Sequence, residues 1–139
     1  MDIPVPARLR AYMGKILIID DDAAFSTFLA NYIKSNFPLL RVEICNDPLG
    51  SLKTIREGGV DLLLVDLEMP KFDGAKIYRY ATGAGIDKNR IVILSGREAD
   101  YLHEHFPMGT CLAVLNKYEA KQKAVLSMIF SSLEKKAAL

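Results

Sequence analysis

Five short apolar runs recur along the chain, at Lys15–Asp20, Arg41–Asn46, Val60–Asp66, Arg90–Ser95 and Cys111–Asn116. Each has strand length, and the unbroken Leu62-Leu63-Leu64-Val65 is what a strand covered on both faces looks like, as in the middle of a parallel sheet. Between the runs, apolar residues switch to helical spacing. Phe25, Phe28, Leu29, Tyr32 and Ile33 form one such stripe, and Leu49, Leu52 and Ile55 a second. Ala75, Ile77, Tyr78 and Ala81 form a third, Glu98–Phe106 is a short fourth helix, and Ala124, Leu126, Ile129, Phe130 and Leu133 mark the last, from Glu119 to about Lys136. The punctuation agrees. Asp22 is placed to cap the first helix and Asn36 with Pro38 to end it; Asp47-Pro48 opens the second and Gly58-Gly59 closes it; Gly83-Ala84-Gly85 stops the third, and Pro107 with Gly109 the fourth. Strands alternating with helices predict right-handed βαβ crossovers and a doubly wound α/β sheet with helices on both faces.

Four of the five runs stop at a polar group: Asp20 with Asp21, Asp66, Ser95 and Lys117. In a parallel sheet all strand carboxyl ends share one edge, the edge at which open α/β sheets bind ligands. These side chains are therefore expected in one pocket although they are almost a hundred residues apart in sequence. Three carboxylates packed together repel and raise one another's pKa unless a cation lies among them. Hard oxygen donors select a hard divalent ion, and Mg²⁺ commonly takes one or two carboxylates, keeps waters and binds phosphate oxygens. Lys117 is a compact positive charge for a phosphoryl oxygen, the Ser95 hydroxyl is a donor to the same oxygens, and Gly96 leaves room for an incoming group. This set suits an aspartate nucleophile that forms an aspartyl phosphate.

Composition narrows the setting. A chain of 139 residues, half of them apolar, is most simply one domain. A net charge of +1 gives no reason to expect nucleic acid as a partner, and no apolar run approaches a membrane span. Met1–Gly14 has two prolines and two arginines without an apolar core, so it reads as a loosely ordered arm rather than a secretory signal, and a cytoplasmic protein is the expectation. Only a few residues follow the last helix, so the expected organisation is an arm over 1–14 and one domain over 15–139, with no output domain. Cys45 and Cys111 have neither CxxC spacing nor a companion histidine cluster and are expected to be buried thiols. His103 and His105, on the short fourth helix, are expected to be surface residues.

The motifs Lys15-Ile-Leu-Ile-Ile-Asp20-Asp21-Asp22, Asp66-Leu-Glu-Met-Pro70-Lys-Phe-Asp-Gly74, Ile91-Val-Ile-Leu-Ser95-Gly96 and Lys117 resemble the receiver domain of two-component response regulators, in order and spacing, from about Lys15 to Leu133. The resemblance implies a flavodoxin-like, five-stranded parallel sheet of order 2-1-3-4-5. It implies phosphorylation on Asp66 by a sensor histidine kinase or a phosphotransfer protein, and output by docking on a downstream protein or, through a homodimer, on a second copy. It also implies a Mg²⁺ ion bound by Asp21, by Asp20 chiefly through water, by Asp66 and by the Glu68 backbone carbonyl. Lys117 would bind the phosphoryl group, and Ser95 would shift towards it as the switch hydroxyl. The two cysteines would then lie on opposite edge strands, too far apart to bridge.

Two positions depart from the family pattern: Val114 stands where an aromatic switch residue is usual, and Tyr118 where a proline follows the lysine. Glu68 and Arg97, two residues beyond Asp66 and Ser95, are expected to pair over the site and hinder attacking water. Two other functions compete. A phosphatase of the haloacid dehalogenase class would use Asp20 as nucleophile, but Ala24 stands where its motif has Thr or Val, and no late acidic pair or cap segment is present. A receiver-like interaction module that does not signal through phosphate is the other, left open by Val114.

Overall fold

A computed structural model of the chain describes residues 14–139. The arm expected over 1–14 lies outside the described residues except for Gly14. Strands β1 (Lys15–Ile19), β2 (Arg41–Cys45), β3 (Leu62–Asp66), β6 (Ile91–Ser95) and β7 (Ala113–Asn116) form one sheet in the order β2-β1-β3-β6-β7, and every pairing in it is parallel. Helices α1 (Ala23–Asn36), α2 (Pro48–Glu57), α3 (Gly74–Gly83), α4 (Ala99–His105) and α5 (Ala120–Ala137) make the crossovers. Between β3 and α3 lies a short antiparallel ribbon, β4 (Glu68–Met69) with β5 (Phe72–Asp73). Counting only the strands of the main sheet, the order is the expected 2-1-3-4-5.

The alternation of side chains along each strand divides the core in two. Ile16, Ile18, Leu62, Leu64, Val92 and Leu94 point to the layer that contains Leu29 and Ile33 of α1 and Leu126, Phe130 and Leu133 of α5. Leu17, Ile19, Leu63, Val65, Ile91 and Ile93 point the other way, to Ile55 of α2 and Ile77 and Ala81 of α3. At the centre of the sheet both faces are covered, and β3 and β6 are buried throughout, whereas the edge strand β2 exposes Arg41 and Glu43.

Helix starts follow from local chemistry. Asp22, Asp47 and Asp73 each accept a backbone N–H of the first turn, from Phe25, Leu49 and Ala75. Pro48 fills the first position of α2, where its missing N–H costs nothing. At the end of α2, Gly58 and Gly59 have φ of 82° and 81°, a left-handed conformation that a side chain would oppose.

The structure corrects several expected core positions. Phe28, Leu49 and Ala124 lie on solvent-facing sides of their helices, because one face of each already covers its share of the sheet. Cys111 is buried as expected, whereas Cys45 is only half-buried on the edge strand β2; both are free thiols. Among the described residues, no helix is long and apolar enough to cross a membrane.

Candidate functional site

The β1 terminus builds one side of the site. Asp20 follows β1, is fully buried, and its Oδ1 accepts the Asp22 N–H at 2.9 Å, which turns the chain into α1. Its carbonyl accepts from Asn46 Nδ2 at 2.6 Å, so β2 braces the same turn. Asp21, next along, is exposed. Asp66 ends β3 and is buried, and its Oδ1 accepts the Glu68 N–H at 3.3 Å. Ligand oxygens from Asp20, Asp21 and Asp66 all lie within 4.8 Å of one another.

Lys117, just past β7, reaches into this acidic group. Its Nζ lies 2.7 Å from Asp20 Oδ2 and 3.4 Å from Asp66 Oδ2, and 4.6 Å from the centre of the Phe25 ring. Burial alone would lower the lysine pKa, but Asp20 and Asp66 outweigh it and hold the group above its ordinary value. Burial and the neighbouring charge of Asp20 push the Asp66 carboxyl up to about 7, with Lys117 acting in the opposite sense.

The group fits a divalent cation. Asp20 Oδ2 is shut away from solvent and, among the described residues, has no partner beyond its ion pair with Lys117. One ammonium faces three carboxylates, so the ionised set has a surplus of two negative charges. All the donors are hard oxygens, the class that selects Mg²⁺.

Ser95 ends β6, fully buried, and its hydroxyl is engaged by Glu68. It donates to Glu68 Oε1 and accepts the Arg97 N–H at 2.9 Å. The Gly96 N–H donates to the other Glu68 oxygen at 3.2 Å, and Arg97 Nε lies 3.8 Å from Glu68 Oε1. The expected Glu68–Arg97 pair is thus present, with a hydroxyl and an amide bound to the same carboxylate.

The sequence reading missed two supporting residues. Asn116 Nδ2 donates to the Arg97 carbonyl at 2.8 Å, while its Oδ1 accepts the Tyr118 N–H at 2.7 Å, lacing the β7–α5 turn to the β6–α4 loop. An Asn at a strand end is a turn-forming residue, and that was the available signal. Gly74 is the other. A Cβ there would stand 2.3 Å from the Asp66 carbonyl oxygen, so the start of α3 can lie against the end of β3 only without a side chain. Val114 is half-buried against the core layer containing Ile93 and Cys111. His103 and His105 are exposed, and the His105 ring stacks on Tyr101 with centroids 4.1 Å apart.

Comparison with known proteins agrees with this geometry. Residues 16–128 match the family model described as the response regulator receiver domain. The response regulator MprA of Mycobacterium tuberculosis is 30% identical over 112 residues, which are 71% of this chain and 47% of that protein. The chain spans 16 to 47% of the length of the first curated relatives it matches. Among solved structures, a CheY-like receiver domain protein from Methanospirillum hungatei superposes with a TM-score of 0.69 at 21% identity, covering 89% of this chain and 96% of that one. The receiver domain of the histidine kinase CKI1 from Arabidopsis thaliana, complexed with Mg²⁺ and BeF₃⁻, gives a TM-score of 0.67 at 21% identity over 87% of this chain and 92% of that one. With the family model covering most of the chain and the sheet order and strand-end acids in agreement, the protein belongs to the response regulator receiver domain family of two-component systems.

Proposed function

We propose that the chain is a phosphorylated signalling switch in which Asp66 accepts a phosphoryl group from a histidine of a sensor kinase or phosphotransfer protein. The observation that carries this reading is the convergence of three carboxylates within 4.8 Å on a buried lysine whose Nζ is 3.4 Å from Asp66 Oδ2. An ionised Asp66 oxygen attacks phosphorus and forms a P–O bond as the P–N bond to the donor imidazole breaks. The imidazole nitrogen leaves with the electron pair and takes up a proton. The Lys117 ammonium neutralises charge on the phosphoryl oxygens, a role supported by its 3.4 Å approach to Asp66 Oδ2, and the Ser95 hydroxyl is the donor that turns towards them.

Asp20, Asp21, Asp66 and the Glu68 backbone carbonyl would hold Mg²⁺. When bound, the ion supplies positive charge that keeps the carboxylates ionised and offsets charge on the transferring group. The CKI1 receiver domain with Mg²⁺ and BeF₃⁻ supports this reading by analogy. Output is proposed to pass by docking on a downstream protein or a second copy of the chain, in the cytoplasm, where a kinase has ATP. Nothing in this role requires turnover of an external substrate.

Intact mass after incubation with acetyl phosphate and Mg²⁺ tests the reading. One added phosphoryl group is expected in the wild type and none in Asp66→Asn. An adduct that survives in Asp66→Asn but disappears in Asp20→Asn would move the nucleophile to β1 and favour the phosphatase alternative. No adduct in the wild type would leave only the interaction module.

A further inference from the structure

We infer that the Glu68 side chain is an internal latch, an anion of the protein's own that occupies the hydrogen-bond donors a phosphoryl group on Asp66 would use. This rests on the reading of Asp66 as the phosphoacceptor. The Ser95 hydroxyl has one proton, and in the resting protein it is given to Glu68 Oε1. The Gly96 N–H is given to Glu68 Oε2 at 3.2 Å. The Ser95 oxygen is also held from behind by the Arg97 N–H at 2.9 Å. Neither donor can serve an oxygen on Asp66 until Glu68 leaves.

Hydrogen bonds to a carboxylate are stronger than neutral ones, so the latch sets a threshold rather than a passing contact. It can open, because the Glu68 side chain is 38% exposed and the Arg97 side chain 60%. Water and the guanidinium are both available to receive the displaced carboxylate. Glu68 thus acts as a positioning residue, holding the switch hydroxyl in its resting place.

The latch also has somewhere to send its release. Glu68 is on β4, in register with Asp73 of β5, and Asp73 Oδ1 caps α3 through the Ala75 N–H at 2.9 Å. Displacement of Glu68 is therefore felt by the ribbon and the start of α3. That path does not pass through Val114.

The test is the time course of phosphorylation of the full chain by acetyl phosphate with Mg²⁺, followed by intact mass. In that reaction an Asp66 oxygen bonds to phosphorus as acetate leaves with the electron pair of its P–O bond. Wild type, Glu68→Gln and Glu68→Ala are compared, each with Ser95 intact and with Ser95→Ala. Both single variants are expected to react about three- to tenfold faster, the net size of one ordinary hydrogen bond no longer displaced. In the Ser95→Ala background the gain is expected to shrink at least by half, to what release of the Gly96 N–H alone supplies. Unchanged or slower reaction in both Glu68 variants overturns the latch. So does a gain that persists undiminished without the Ser95 hydroxyl, which marks simple removal of a negative charge. In either case one phosphoryl on the wild type leaves the phosphoacceptor reading standing, whereas no phosphoryl on the wild type overturns both.

Discussion

Asp66 carries a conflict that its neighbours only partly relieve. Burial and the Asp20 charge push its carboxyl up to about 7, well above the 3.8 of an exposed aspartate, with Lys117 pulling the other way. Between those two values the native protein holds a proton that the unfolded chain has released. Unfolding then releases a proton, so stability falls as pH rises through that window and levels off above it. In EDTA, urea denaturation should show stability declining from about pH 4 to about pH 7. Asp66→Asn cannot ionise, so its profile should be flatter, and at pH 8 it should exceed the wild type by about 1–3 kcal/mol. A variant less stable than wild type at pH 8, with an unchanged pH profile, would show that the carboxylate is not strained. Lys117 has the complementary position: its two carboxylate partners hold it as an ammonium, which keeps a positive charge beside Asp66 when the acid ionises.

At the scale of elements, what the sequence revealed and what it hid have different physical origins. Strands β1, β3 and β6 were readable because both faces of the sheet are covered there, which leaves apolar runs ending in rim residues. Helix starts were readable because Asp22 and Asp47 are local caps. Helix faces were less so: Phe28 fits the apolar stripe of α1 but lies beyond the arc that meets the sheet, where Lys123 Nζ sits 5.2 Å from its ring. The β4–β5 ribbon was hidden because two-residue strands leave no period to detect, and Met-Pro-Lys-Phe-Asp-Gly reads simply as a turn. The close approach of α3 to β3 was hidden as well, since a glycine there looks like turn chemistry. Two substitutions separate those meanings. Gly74→Ala forces a methyl to within 2.8 Å of Leu67 Cα and closer still to the Asp66 carbonyl, both of them backbone. It should cost about 1–3 kcal/mol of stability, read from a lowered denaturant midpoint, and displace the Asp66 strand end, with slower phosphorylation. Gly83→Ala, in the last turn of the same helix, meets nothing within 4 Å and should be neutral or stabilise by up to about 1 kcal/mol. Equal costs at the two positions would refute the packing role of Gly74.

Across the whole molecule, parallel topology decides which residues meet, and the sequence was sufficient for that. Asp20, Asp66 and Lys117 are brought together by strand order alone, since β1, β3 and β7 run the same way and end on one edge. The direction of each side chain was not readable, because rotamers depend on partners from other elements. Ser95 is on the expected strand end, yet its hydroxyl serves Glu68 rather than the acids. The same gathering leaves the rim with three carboxylates against one ammonium, so the folded state concentrates negative charge that the unfolded chain disperses. A cation that binds only the gathered set must then stabilise the fold by mass action. Mg²⁺ at a hundred times its dissociation constant should add about 2.7 kcal/mol, read as a melting temperature that rises with the logarithm of Mg²⁺ concentration. The rise should be larger at pH 8 than at pH 5.5, because below about 7 a proton on Asp66 competes with the ion. Asp21→Asn and Asp66→Asn should lose most of it. An equal rise from NaCl at matched ionic strength, or an undiminished rise in both variants, would mean that charge screening and not a site at the rim is responsible.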